Sequence, residues 1–326
     1  MRVLVLHSDV PADAPPDEQD TLAQAAAIAR ALTRKGHEVA QAAFVPDPDA
    51  LAALVRGANT DVVFNLVETV WGSGGCAMLA PAMLDAIGVP YTGSGVAAFA
   101  ASGDKPFSKR LMRAQDLPTP DWAEPPSWQG LRDGVRYIVK SVAEDASLGL
   151  DDGAVVAGRD AVLARALESA ARHGGRWFAE AYVDGREFNV AIIEENGSPR
   201  VLPIAEMCFE DWDDVRPRIV GYAAKWDEAS FEARKTVRAF GAEKAEPALS
   251  ARLAGLAQAV WRLFGLSGYG RVDFRVDSQV PRSPYILEIN PNPCLAPDAG
   301  LAAASEQAGI SYADLIDRIL RGASRG

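Results

Sequence analysis

Short apolar runs alternate with stretches of helical spacing from the start of the chain. Val3 to Leu6 reads as a strand buried on both faces. A loop rich in Pro and Asp, 8–20, leads into a helix over 21–35, with Leu22, Ala25, Ala26, Ala29 and Leu32 as its apolar stripe and Gly36 ending it. Glu38 to Phe44 is a second strand, Asp49 to Gly57 a short helix, and Asp61 to Leu66 a third strand. This βαβαβ order predicts a parallel sheet with helices outside it. Ligands of such sheets meet the carboxyl ends of the strands, here residues 7–9, the 13–20 loop and residues 65–75. Gly72-Ser73-Gly74-Gly75 falls in the last of these, as a point of close backbone approach or as a plain flexible connector. A helix ending near Gly88, with Pro81 in its first turn or at a kink, and a turn-rich run 90–95 complete the first unit.

A second unit begins near Val96. Lys105 opens a helix over 106–115, which Pro118 and Pro120 end. A strand over 136–142 carries Lys140, and 144–149 is a loop of small and acidic residues. A helix over 159–172 and a strand over 177–183 lead to a turn at Asp184-Gly185. The third unit opens with a strand over 187–194, a tight turn at Asn196-Gly197 and a return strand over 201–206. Residues 207–245 read as polar and irregular. Leu253, Leu256, Ala257, Val260, Trp261 and Phe264 then repeat at helical spacing up to Gly265. A short helix after Gly300 and an amphipathic helix over 312–320 follow.

The stretch 269–293 carries the densest chemistry. Val272, Phe274 and Val276 alternate with Asp273 and Arg275, so the apolar residues share one face of a strand. Tyr285 to Ile289 is a second strand, separated from the first by a loop with Pro281 and Pro284. In the simplest hairpin register Asp273 sits across from Glu288, and Glu288 and Asn290 point to the same face. Two carboxylates and an amide beside Arg271 make a small set of hard oxygen donors, suited to Mg²⁺ shared with substrate phosphates. The bland alternative is a hairpin with a polar solvent face.

Composition narrows the function classes. The 326 residues suit two or three packed units, and a net charge of −11 argues against nucleic-acid binding, which needs a basic stripe. Three cysteines, Cys76, Cys208 and Cys294, have no paired spacing, so neither a disulfide framework nor a zinc site is expected, and a reducing cytoplasm is. No run of eighteen uncharged apolar residues is present, so no membrane span is expected. Of three histidines only His7 has a site-like location, and Trp71, Trp212 and Trp226 are candidates to line a pocket, with ordinary packing as the default for each.

Taken in order, Tyr91-Thr92-Gly93-Ser94-Gly95, Gly103-Asp104-Lys105, Ile138-Val139-Lys140, Ser147-Leu148-Gly149, Glu180-Ala181-Tyr182-Val183, Gly185-Arg186-Glu187-Phe188, Ala224-Lys225, Gly270-Arg271-Val272-Asp273 and Leu287-Glu288-Ile289-Asn290 resemble the ATP-grasp superfamily, and within it the D-alanine–D-alanine ligase family. The resemblance covers most of the chain. It implies an α/β (α+β ATP-grasp) fold: a Rossmann-like N-terminal domain over 1–95, a central subdomain over 96–185 and a C-terminal subdomain over 186–326, the last two sandwiching ATP. It also implies a carboxylate–amine ligase working through an acyl phosphate. Asp273, Glu288 and Asn290 match the family's ligands for two Mg²⁺ ions, for which Mn²⁺ can substitute. Lys105, Lys140 and Lys225 resemble its phosphate-contacting lysines, Ser147 and Gly149 its phosphate-covering loop, Glu180, Tyr182 and Val183 its adenine edge, and Glu187 its ribose carboxylate. Arg271 matches the oxyanion arginine, with Ser147 and Lys225 beside it in the catalytic set. Homodimers are common in the family.

The acceptor side departs from the family pattern. Where the family has Asn-Thr-x-Pro-Gly-Met-Thr and then a serine, this chain has Asn290-Pro291-Asn292-Pro293-Cys294-Leu295-Ala296-Pro297-Asp298. The hydroxyls for the acceptor carboxylate are missing, and Asp298 would repel a carboxylate and attract an amine. Trp226 stands where the family has a tyrosine, and the family's amine-binding glutamate aligns best with Asp20, or with Glu18 if the loop shifts. Asn65-Leu66-Val67-Glu68 replaces its His-Gly loop. Asp20, Glu68, Trp226, Asn292 and Asp298 are therefore the candidate substrate residues, for a small-molecule carboxylate and an amine that differ from two D-alanines. The competing readings are a true D-alanine–D-alanine ligase, a kinase that stops at the phosphorylated product, and a regulatory ATP-binding module. No thiol chemistry is expected of Cys294.

Overall fold

The computed structural model describes residues 1–213, 215–278, 280 and 283–323. Three sheets carry the fold. Strands β1 (Arg2–His7), β2 (Glu38–Ala43) and β3 (Val62–Leu66) form a parallel sheet in the order β2-β1-β3. Both faces of β1 and β3 are covered, which is why those two strands read as apolar runs rather than alternations, while the edge strand β2 is largely exposed. Val3, Val5, Val62 and Phe64 pack on one side with Ile28 and Leu32 of the helix Pro16–Arg34. Leu4, Leu6 and Val63 pack on the other with Leu51 and Leu84, from the helices Pro48–Gly57 and Leu79–Ile87. The first helix begins five residues before its expected start. Pro16 occupies its first position, where the missing N–H costs nothing, so the Pro-rich run is a helix start rather than all loop. Its stripe also differs from expectation: Leu22 is exposed, and Ile28 takes the core position.

The second sheet is antiparallel, with β4 (Trp122–Ala123), β5 (Arg136–Ser141), β6 (Val155–Ala157) and β7 (Trp177–Ala181) in the order β4-β7-β5-β6. The third has β8 (Gly185–Glu195), β9 (Ser198–Val201), β10 (Ala205–Phe209), β11 (Thr236–Phe240), β12 (Tyr269–Asp277) and β13 (Pro284–Asn290). Its order is β11-β10-β8-β12-β13, with β9 also paired to β8. The single return strand expected over 201–206 is two strands on one edge of β8, and Pro203, which has no N–H to give the ladder, falls between them. The run 207–245 is not irregular throughout: it holds most of β10, all of β11 and three short helices, Tyr222–Trp226, Phe231–Lys235 and Ala242–Ala245. Asn196 and Gly197 have φ of 53° and 74°, as a tight hairpin between β8 and β9 requires.

Phe188, Val190 and Ile192 of β8 and Val272, Phe274 and Val276 of β12 face a core formed with the helix Pro247–Phe264. The helices Val96–Ser102 and Lys105–Ala114 bring Ala98 and Met112 to that same core. The opposite face of β8 and β12 presents Glu187, Asn189, Arg271, Asp273 and Arg275. In β13 the register shifts: Asp273 faces Glu288, but Phe274 faces Ile286, leaving Leu287 as an extra residue. This bulge lets Ile286 and Ile289 both reach the core while Glu288 stays on the polar face. Pro281 of the hairpin loop lies outside the described residues; Pro284 is the first residue of β13. The helix Tyr312–Arg321 packs Leu315, Ile316 and Ile319 against the first sheet and its helix.

Candidate functional site

A cavity of about 1370 Å³ lies between the second and third sheets and the strand ends of the first. Every residue matched to the family's nucleotide, metal and catalytic positions lines it, from Lys140, Glu180, Tyr182 and Val183 on one wall to Glu187, Arg271, Asp273, Glu288 and Asn290 on the other. The candidate acceptor residues Asp20, Glu68, Trp226, Asn292 and Asp298 line its far end.

The centre of the third sheet holds Asp273 tightly. Arg271 donates Nε and Nη2 to its two oxygens at 2.8 and 2.9 Å, Asn189 Nδ2 donates at 2.8 Å and Asn290 Nδ2 at 3.2 Å. Arg271 Nη1 is not used in this clamp. Glu288 is different. Among the described residues it forms no hydrogen bond. Burial pushes its pKa up, but Lys105, Lys140, Lys225 and Arg271 more than offset that and hold it at about 2. Among the described residues no cluster of three or more His, Cys, Asp or Glu has metal-binding geometry; the donor set here is two carboxylates and the amide oxygen of Asn290.

Glu180 is buried beneath the second sheet's wall. Lys140 Nζ reaches Oε1 at 2.8 Å, and Lys109 Nζ pairs with Oε2. Burial raises the Glu180 pKa, yet the two ammonium groups bring the net shift below the ordinary value. Lys109 is a residue the sequence reading missed. It is 0% exposed and also donates to Thr119 Oγ1 at 2.8 Å. The available signal was its place four residues after Lys105, one turn along the same helix face. Glu187 is paired with Arg275 at 2.9 Å, and its pKa is raised by burial.

Two segments cover the cavity and are tied together. Ser147 Oγ donates to Val220 O at 2.8 Å, Trp226 Nε1 to Ala146 O at 3.2 Å, and Tyr222 N to Leu150 O at 2.9 Å. Gly149 has φ of 70°, and a Cβ there would stand 2.6 Å from the Trp177 ring, so only glycine fits. Both segments are tied to the first unit. Glu144 accepts from Ser73 Oγ at 3.0 Å and Gly74 N at 2.9 Å, and Tyr222 Oη donates to Asp17 Oδ1 at 2.9 Å. A Cβ on Gly74 would stand 3.0 Å from Ala143 O, so the close approach in this glycine run is to the 143–144 backbone. Lys105 Nζ is held by Glu144 O at 2.9 Å and Asp145 Oδ1 at 2.8 Å.

At the far end the balance of charge reverses. Burial raises Glu68 to about 7, against a 3.0 Å bond from Gln24 Nε2, and Asp20 and Asp145 add to the rise. Burial also raises Asp20, with Asp298 adding to it. Cys294 donates its S–H to Asp20 Oδ2 at 3.3 Å; burial and then Glu68 and Asp20 push its thiol well up, so it is no nucleophile. Three weaker candidates lie elsewhere, and for Trp212 the default of ordinary packing holds. His7 does not line the cavity, and its Nδ1 meets Ser8 O at 2.8 Å. Trp71 is 75% exposed, and Trp212 packs among Phe209, Phe231 and Arg216. Only Trp226 of the three tryptophans reaches the cavity.

Residues 132–321 match the family model "D-ala D-ala ligase C-terminus". The chain is 33% identical to a D-alanine–D-alanine ligase of Anaeromyxobacter sp. (strain Fw109-5), over 94% of this chain and 93% of that protein. It is 31% identical to one from Anaeromyxobacter dehalogenans (strain 2CP-C), with the same coverage. Among solved structures it is similar to the D-alanine–D-alanine ligase of Bacillus anthracis complexed with ATP, with a TM-score of 0.75 and 21% identity, over 99% of this chain and 97% of that one. That likeness extends the shared fold to all three sheets.

Proposed function

The chain belongs to the D-alanine–D-alanine ligase family, and from that premise we propose that it joins a carboxylate to an amine other than D-alanine through an acyl phosphate. It is an ATP-dependent ligase with the ATP-grasp fold. The observation that carries the finer reading is the convergence of all the expected nucleotide residues on one cavity whose acceptor end has a different charge pattern.

In this reading the carboxylate substrate attacks the terminal phosphorus of ATP and releases ADP. The amine then attacks the acyl carbon, phosphate leaves, and an amide forms. Lys105, Lys140 and Lys225 offset phosphate charge, as compact ammonium donors do well. Glu180 already holds two lysines, so it serves to aim Lys140 at the phosphates, and the backbone of Tyr182 and Val183 receives the adenine edge. Glu187, with one oxygen on Arg275, keeps the other for the ribose. Ser147 and Gly149 close over the phosphates. Arg271 keeps Nη1 for the oxyanion of the tetrahedral intermediate, held in place by its own grip on Asp273. Glu288, charged and without a hydrogen bond among the described residues, fits a divalent cation together with Asn290 Oδ1 and Asp273. Mg²⁺, or Mn²⁺ in its place, would supply charge neutralisation at the transferred phosphate. The reading includes a cytoplasmic location and a homodimer; no helix among the described residues is long and apolar enough to cross a membrane.

The test is ADP release with Mg²⁺ and ATP over a panel of acids and amines, singly and in pairs, with mass spectrometry of the product. Turnover that requires a pair and yields its condensed mass is expected. A stable phosphorylated acid would replace the ligase step by a kinase step. Efficient D-alanyl-D-alanine formation would return the acceptor to D-alanine.

A further inference from the structure

We propose that Arg238 anchors the carboxylate of the acceptor, which makes the amine substrate an amino acid rather than a simple amine. This rests on the ligase reading above and specifies its acceptor. Arg238 lies in β11, a strand in the stretch that reads as irregular in the sequence. It pairs across the sheet with Met207, which pairs with Glu187, which pairs with Arg275. All four residues line the cavity, so this row runs along the cavity face of the third sheet.

The guanidinium reaches away from the nucleotide wall. Nη1 donates to Asp298 O at 3.2 Å, and a Cβ on Gly300 would stand 3.8 Å from Nη2. It therefore lies over the turn that opens the helix Gly300–Gln307, whose N-cap, Ala299, has no side-chain oxygen to offer. Among the described residues no carboxylate forms an ion pair with Arg238, whereas Arg271 and Arg275 on the same face each have one. Burial and then the nearby charge of Arg271 lower the Arg238 pKa, with Asp298 opposing. Two guanidiniums beside one cavity, one of them without a carboxylate, call for an anion between them. A substrate carboxylate meets that need, and a guanidinium can take it in a bidentate grip. The serine and threonine hydroxyls absent from 290–298 are thus replaced from another strand. Asp298 is close enough to act on both Arg238 and Asp20, so the subsite has a cation for a carboxylate and carboxylates for an ammonium.

The test is direct binding, separate from turnover. The full chain, saturated with Mg²⁺ and a non-hydrolysable ATP analogue, is titrated with D-alanine and the common amino acids, each beside its own amide. Isothermal calorimetry reports binding. At least one amino acid is expected to bind roughly 100-fold tighter than its amide, the size of a lost charge-assisted contact. Arg238→Leu should bring the two within a few-fold, Arg238→Lys should keep part of the difference, and both should keep affinity for the ATP analogue. Amides binding as well as acids, discrimination that survives Arg238→Leu, or no amino acid binding at all would each overturn the anchor. ADP release is measured on the same samples with ATP. Arg238-dependent discrimination without turnover on any pair would remove the ligase reading and leave the anchor standing. Turnover with simple amines, and no discrimination, would do the reverse.

Discussion

Four buried carboxylates, two at each end of the cavity, shift in opposite directions. At the nucleotide end Glu180 lies between Lys109 and Lys140, and Glu288 faces three lysines and an arginine; both have pKa values below the ordinary range despite burial. At the acceptor end Asp20 and Glu68 are raised by burial and by neighbouring carboxylates, which outweigh the Cys294 S–H at Asp20 and Gln24 and Arg271 at Glu68. Desolvation is common to all four, so the number of nearby cations decides the sign. Glu180 and Glu288 therefore keep fixed charges beside the polyanion's site, whereas Glu187 and Asp273, each with an arginine as its main cation, are raised by burial. At the acceptor end Glu68 changes protonation near neutral pH, where an ammonium must lose a proton before it can attack.

This contrast can be broken at several points. Arg271→Ala should lower kcat for ADP release by roughly 10²–10³-fold, as loss of an oxyanion donor does, and it should leave Asp273 held by Asn189 and Asn290 alone. Steady-state kinetics with any productive acid–amine pair measure it; an unchanged kcat would detach Arg271 from the chemistry. Lys109→Met leaves buried Glu180 with Lys140 alone and should cost about 3 kcal/mol of stability in urea unfolding. A loss below roughly 0.5 kcal/mol, the range of ordinary surface substitutions, would mean that the lower pair is dispensable.

At the acceptor end the dependence is on pH. Glu68 has a folded pKa raised to about 7, so its contribution to stability is fully present below its unfolded value and is lost as pH rises through about 7. Over the same range its carboxylate forms, and the acceptor KM should fall several-fold between pH 6 and 8. In Glu68→Gln both dependences should flatten; pH profiles that match the parent chain would assign the titration elsewhere. The smallest effect belongs to Tyr222→Phe, which removes the bond to Asp17 that ties the covering helix to the first unit. One neutral-to-charged bond at a partly exposed site is worth about 1 kcal/mol, and KM should rise roughly 5-fold with kcat held. A fall in kcat alone would make Tyr222 part of the chemical step instead.

The strongly periodic segments were legible in the sequence: the βαβαβ start, the Pro247–Phe264 helix, and the β12–β13 hairpin with Asp273 opposite Glu288. The bulge at Leu287 was not, because a one-residue slip leaves the alternation on each side intact. Strand β11 was hidden because a charged residue, Arg238, faces the cavity where an apolar one would have marked the strand, and because it is an edge strand with Val237 exposed. Helix Val96–Ser102 was hidden by its Ala-rich seven residues, too short to show a period. The nucleotide residues were legible through motifs with fixed spacing. Lys109 was not, since a lysine on a helix reads as a solvated charge unless its buried partner, 71 positions later at Glu180, is known.

The helix Tyr312–Arg321 sets an order of events during synthesis. His37 and Asp317, 280 positions apart in the chain, meet at 2.9 Å, and Leu315, Ile316 and Ile319 complete the face that Val3, Val5 and Ile28 begin. Until that helix has left the ribosome, the first unit presents an uncovered apolar surface. Its helix Pro16–Arg34, which delivers Asp17 and Asp20 to the cavity, has only the first sheet to lean on until then. A nascent chain stalled ahead of this helix should therefore occupy chaperones for longer than its other two units would require, and it should gain protease resistance at Pro16–Arg34 only once residue 321 has emerged.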